Sequence, residues 1–166
     1  MGFGGIGNHY CNQMHEYMAK EAGEYVEGRD LMVYIFEAEA YVPQAAATNH
    51  TITMSGETKE RVTKDTGNGA FSNKLVKKLS VTIKCEALTL FGEGNVYEKL
   101  VAIMKSRKPV KLKYGYTEEA GGASSKYEEG MFVITQLEQN SPADDDATYS
   151  ATFENDGAVE TKTGGA

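Results

Sequence analysis

Apolar and polar residues alternate along much of the chain, which is typical of β-strands with one buried face. The clearest example is 79–86, where Leu79, Val81, Ile83 and Cys85 alternate with polar residues. The stretches 51–54, 110–116 and 148–153 repeat the pattern, 31–36 is apolar on both faces, and 131–137 is mostly apolar. The series predicts a mainly β protein, an antiparallel β-sandwich or barrel.

One internal helix interrupts the strands. Asn95 is a suitable N-cap, and Glu98 stands at the reciprocal position of a capping box. Pro109 prevents the helix from continuing. Apolar residues at helical spacing predict the face that docks on the sheet: Tyr97, Leu100, Val101 and Met104.

The segment between Ser55 and Lys74 is rich in charge and contains the turn signal Gly67-Asn68-Gly69. Little in it could anchor it to its own core, so we expect a long protruding hairpin or loop that contacts a neighbouring subunit. The alternative is a surface loop without fixed structure. The residues expected to make the contact are Glu57, Lys59, Glu60, Arg61, Lys64, Asp65 and Phe71.

The two ends of the chain differ from its middle. Residues 1–28 are glycine-rich at the start and are expected to form a flexible or partly helical N-terminal arm. Residues 29–160 form the predicted β domain, and 161–166 a flexible C-terminal tail. Neither a secretory signal nor a membrane-spanning apolar run is recognisable, which predicts a protein made in a cytoplasm.

Charge is unevenly distributed along the chain, whose net charge is −7. Residues 30–117 carry thirteen Lys or Arg against nine acids, whereas residues 118–166 carry two against eleven. An acidic chain is a poor candidate for tight nucleic-acid binding. The segregation fits either subunits that meet acidic face to basic face or uneven solvated loops.

No catalytic motif is present, so the sequence predicts neither an enzyme nor a bound cofactor. His9, Cys11 and His15 are too few for a zinc site, and Cys11 and Cys85 are expected to be reduced thiols. Two rival functions remain open. A β-sandwich binding module, for virion decoration or carbohydrate, would use Tyr114, Tyr116 and Tyr127, and a metal-assisted hydrolase would use His9, His15 and His50.

Several stretches together resemble the major tail tube proteins of long-tailed bacteriophages and their prophage relatives. They are 28–35, 47–55, 57–60, 63–67, 102–110, 134–138 and 147–154, and their order and spacing carry the resemblance. Thr63-Lys64-Asp65-Thr66-Gly67 and the strand at 147–153 are the most specific pieces.

The resemblance implies a structural virion protein. Its β-sandwich subunits would form hexameric rings that stack into a hollow tube, through which genomic DNA is ejected without specific binding. The implied partners are further copies of the chain, the tail tip or baseplate initiator, the tape measure protein and the tail terminator, with no membrane. The protein would be made in the host bacterial cytoplasm and reside in the tail of the virion.

Overall fold

A computed structural model describes residues 20–61, 73–122 and 125–164. Within them, seven strands and two helices follow one another along the chain. They are β1 (Leu31–Glu37), β2 (Ala40–Pro43), β3 (Ala47–Arg61), β4 (Asn73–Leu88), α1 (Val96–Ser106), β5 (Val110–Tyr116), α2 (Glu118–Gly121), β6 (Lys126–Asn140) and β7 (Thr148–Thr163). Every strand pair is antiparallel, and the seven strands form one sheet in the order β2-β1-β5-β6-β7-β4-β3. The predicted mainly β antiparallel fold is confirmed.

The sheet folds over itself so that distant strands share one core. Val33 of β1 belongs to the same buried cluster as Ile83 of β4 and Phe153 of β7. Leu100 of α1 fills the remaining side, and both it and Leu112 are almost fully buried. This is a β-sandwich-like arrangement in which the helix is packed against the inner face, as predicted.

Helix α1 begins and ends where the sequence indicates. The Asn95 side chain accepts a hydrogen bond from the backbone N–H of Glu98 at 3.2 Å, and Arg107 adopts a left-handed conformation with φ 59° just before the break at Pro109. The docked face differs slightly from the prediction. Val96 and Ile103 pack on the core with Leu100, whereas Met104 is 39% exposed.

Strand β5 is covered on both faces, which its alternating pattern did not predict. Lys113, expected on a solvated face, is only 3% exposed. Its Nζ lies 4.3 Å from the ring centroid of Tyr127 and 5.2 Å from that of Tyr34. The aromatic side chains of neighbouring strands therefore cover the alkyl stem of this lysine and interact with its charge.

The chain on either side of the sheet is partly tied to it. The backbone N–H of Lys20 donates to the Ala120 carbonyl at 3.0 Å, and its Nζ lies 3.2 Å from Asp30 Oδ2. Strand β7 continues to Thr163, into the segment predicted as a C-terminal tail. Residues 1–19, most of the predicted N-terminal arm, lie outside the described residues. No helix in the described part of the chain is long and apolar enough to cross a membrane.

Candidate assembly surfaces

Half of the hairpin formed by β3 and β4 extends beyond the core. Strands β3 and β4 stay paired as far as Arg61 and Asn73, yet residues 53–61 and 73–80 are all exposed. We call these residues the ribbon. A two-stranded hairpin is marginally stable alone in water, so a ribbon this long points to a surface that a partner covers.

One face of the ribbon is apolar. Met54, Val76 and Leu79 are 62%, 55% and 75% exposed. A Cβ placed on Gly56 would lie 3.2 Å from Val76 Cγ1 and 3.6 Å from Leu79 Cδ2, so these side chains flank Gly56 on one face. The three residues continue the inner face of the sheet, from Ile52 and Val81, past the end of the core.

A β-bulge creates this apolar strip. Glu57 pairs with Lys78 and Thr58 with Val76, which leaves Lys77 as an extra residue on β4. Residues three apart on a regular strand point to opposite faces, but the extra residue returns Val76 to the face of Leu79. The strip was not predicted from the sequence, although the apolar residues Met54, Val76 and Leu79 in a charge-rich stretch are a signal that could have indicated it.

The ribbon is also basic. Its described residues carry five Lys or Arg against two Glu. Among the residues predicted to contact a neighbour, Glu57, Lys59, Glu60 and Arg61 lie on it. Lys64, Asp65 and Phe71 lie outside the described residues.

The sheet divides where the ribbon begins. Strand β4 pairs with β7 as far as Thr82 and Glu154, and no further pairs join these two strands. The Oδ1 of Asn155 accepts the Val81 backbone N–H at 2.9 Å, and its Nδ2 donates to the Gly157 carbonyl at 2.8 Å. The Asn155 side chain thus takes the place of a neighbouring strand at the point of division.

A charged cluster stabilises the other face of the main sheet. Glu129 is 8% exposed, and one of its oxygens lies 2.9 Å from Lys162 Nζ and 3.2 Å from Lys111 Nζ. Burial alone would raise the pKa of Glu129, but the hydrogen bonds, led by that from Lys162, lower it to about 2. We assign this cluster to folding stability, because it joins three strands that already pair.

Tyr114, Tyr116 and Tyr127, the tyrosines of the binding-module hypothesis, do not share one face of the sheet. Tyr114 packs against the core. Tyr127 stands opposite Gly115, where an added Cβ would lie 2.5 Å from that of the tyrosine, so it occupies the other face. Tyr116 is half-buried at the end of β5.

The described residues give no support to a metal-assisted hydrolase. His50 Nε2 lies 2.7 Å from Gln44 Oε1, and Gln44 Nε2 donates to the Tyr149 hydroxyl at 2.9 Å. Burial lowers the pKa of His50, as expected of a packed histidine. No group of three His, Cys, Asp or Glu able to hold a metal occurs in the described part of the chain, and His9 and His15 lie outside it. Cys85 is buried and unpaired, which raises the pKa of its thiol to about 12.

Comparison with known proteins identifies the class of this fold. The family model of the phage tail tube protein matches residues 25–161. The chain belongs to this family, and it is a structural protein of the phage tail tube, a component of the virion. A comparison with curated proteins finds no significant match.

Solved structures agree on the fold. The chain is similar to a protein in the tail of an empty GTA particle refined with C6 helical symmetry, with 17% identity, a TM-score of 0.68, and coverage of 84% of this chain and 100% of that one. It is also similar to the SPP1 tail tube, with 11% identity, a TM-score of 0.67, and coverage of 86% and 81%. A chain of the anti-feeding prophage baseplate has 6% identity, a TM-score of 0.60, and coverage of 86% and 98%.

Proposed function

We propose that this protein polymerises as stacked hexameric rings into the tail tube and that phage DNA is ejected through its lumen. The ribbon carries the proposal, because an exposed apolar strip on a long paired hairpin is stabilised only when another molecule covers it. Six-fold symmetry in the similar GTA tail supports the ring size. Tail tip or baseplate initiator, tape measure protein and tail terminator are the proposed further partners.

Strand addition is the proposed mechanism within and between rings. In the described residues β3 pairs only with β4, so its outer edge presents unpaired backbone groups over a strand of 15 residues. Such an edge is a template for another chain. At the other edge of the sheet, β2 is four residues long and ends at Pro43. The two edges differ, so their contact is heterologous and can close into a ring.

The net charge agrees with a conduit for DNA. At −7, the chain is acidic, and an acidic lumen would keep DNA from adhering to the wall. The basic ribbon is then better placed between subunits than in the lumen.

Shortening the ribbon tests the proposal. Replacing residues 58–77 by Asn-Gly removes its outer part, including Val76, and keeps the Glu57–Lys78 pair as the last rung below a two-residue turn. The shortened protein should keep the thermal unfolding transition of the parent and stay monomeric in sedimentation velocity, while the parent forms tubes. Tubes from the shortened protein would show that the outer part of the ribbon is not required.

A further inference from the structure

A second exposed apolar surface lies at the opposite end of β4 from the ribbon. Just past the end of this strand, Leu90 is 39% exposed and Phe91 is 105% exposed, and Leu88 at its last position is 37% exposed. Three large apolar side chains are thus exposed within four positions, and it is such grouped exposure, rather than a single exposed residue, that indicates an interaction site. We call Leu88, Leu90 and Phe91, with the loop described next, the Phe91 patch.

An acidic loop adjoins these apolar residues. Leu88 pairs with Thr148, and the Thr89 backbone N–H donates to the Ala147 carbonyl at 2.9 Å. The loop that joins β6 to β7 is therefore held beside the end of β4, and it contains Asp144, Asp145 and Asp146, all exposed.

The ribbon and the Phe91 patch are complementary in both polarity and charge. Each has an exposed apolar centre. It is formed by Met54, Val76 and Leu79 on the ribbon, and by Leu88, Leu90 and Phe91 on the patch. The ribbon carries five basic side chains against two glutamates, and three aspartates adjoin the apolar centre of the Phe91 patch. β4 has 16 residues, which at about 3.3 Å per residue separates its ends by roughly 50 Å. The two surfaces of one chain thus cannot meet, whereas those of two copies can.

We propose that the Phe91 patch is the receptor for the ribbon of a second copy in the adjacent ring. This inference rests on the proposed tube. Phe91 would pack against the apolar strip, and Asp144 and Asp146 would face Lys77 at the bulge and Lys74, which pairs with Glu60 on the face of the strip. A buried aromatic anchor within a charged rim is the usual anatomy of a specific interface. The contact is head to tail, so it repeats without limit along an axis.

The apolar part of the contact is tested with Phe91→Ala. The side chain is fully exposed, so the thermal unfolding transition should be unchanged, whereas the critical concentration for tube growth should rise at least about tenfold, as for loss of an anchor residue. Tyr25→Ala is the matched control, because Tyr25 is 92% exposed at a different place. An unchanged critical concentration for Phe91→Ala would overturn the proposal.

The charged part allows a complementation test. One variant carries Lys74→Glu and Lys77→Glu, and the other carries Asp144→Lys and Asp146→Lys. Asp145 is kept because its Oδ1 accepts the backbone N–H of Asp146. Each variant presents charge of one sign at both ends and should stay small in sedimentation velocity at low salt. An equimolar mixture should form larger species, because opposite charges then meet at every contact.

Failure of this inference and failure of the proposed function are distinguishable. Parent protein that forms tubes, with a mixture no larger than its components, would contradict only the assignment of the Phe91 patch. Variants that associate when mixed, from a parent that never forms tubes, would support the contact and contradict the tube. Association of the mixture should also weaken in 0.5 M salt, where the Debye length is only a few ångströms, on the order of 4 Å.

Discussion

The two halves of strand β4 both carry apolar side chains on one face of the sheet, and their surroundings differ. Val81, Ile83 and Cys85 are at most 5% exposed, whereas Leu79 and Val76, earlier in the same strand, are 75% and 55% exposed. The first half of the strand lies in the ribbon and the second crosses the core. The pairing with β3 therefore specifies which side chains of β4 share a face, and the rest of the molecule decides whether that face is covered by the chain itself or by a partner.

A matched pair of truncations on one face of β4 tests whether the two halves of the strand contribute differently to stability. Ile83→Ala removes a fully buried side chain and should lower the free energy of unfolding by roughly 2–5 kcal/mol. Leu79→Ala should change it by less than about 0.5 kcal/mol. Urea unfolding of the unpolymerised protein measures both, and similar losses would mean that the ribbon is part of the core.

Much of the fold was predictable, and the exceptions share a physical cause. The strand around Ile83, the cap at Asn95 and the break at Pro109 follow from local pattern and were found in the sequence. The burial of Lys113 was missed, because period-two alternation cannot reveal a second cover built from the tyrosines of other strands.

The position of the protruding hairpin was predictable from the sequence, whereas the apolar strip on it was not. The charge-rich segment after Ser55 pointed to the protruding hairpin. The strip formed by Met54, Val76 and Leu79 depends on the bulge at Lys77, which only the pairing with β3 reveals. The Phe91 patch depends on a loop distant in sequence, held beside Thr89 by one backbone hydrogen bond.

A second prediction concerns the pH dependence of stability, which depends on Glu129 in the paired part of the sheet. The pKa of Glu129 is lowered to about 2 in the folded protein, so its contribution to stability is present above its unfolded pKa, about 4.3. It should be lost as pH falls from about 4.5 toward 2. Glu129→Gln should cost on the order of 2–3 kcal/mol at pH 7 and flatten this part of the stability profile. An unchanged profile would show that the ion pairs to Lys111 and Lys162 contribute nothing.

The boundary between the two regions is tested at Asn155. Asn155→Ala leaves the buried Val81 N–H without an acceptor and should destabilise the protein by about 1–2 kcal/mol. Asn155→Asp keeps an acceptor oxygen and should cost less. Thermal unfolding measures the stability of both variants. Equal losses of stability would indicate that the hydrogen bond to Val81 does not stabilise the point where β4 and β7 separate.

The smallest expected effect is at a turn far from the ribbon. Ala38 and Glu39 join β1 to β2 with φ of 49° and 65°, a conformation that favours Asn-Gly in two-residue hairpins. The double change Ala38→Asn and Glu39→Gly should stabilise the fold by about 0.5–1 kcal/mol. Tube growth should not change, because the substitution keeps the backbone conformation of the turn and leaves the edge of β2 intact, and altered growth would mean that the side chains of the turn contact a neighbour.

Negative-stain electron microscopy of the purified, concentrated protein at moderate salt is the sharpest test of assembly into a tube. We expect hollow tubes, or six-fold rings, with a pore wide enough for duplex DNA. Monomers that also fail to add to a supplied tail tip would contradict it.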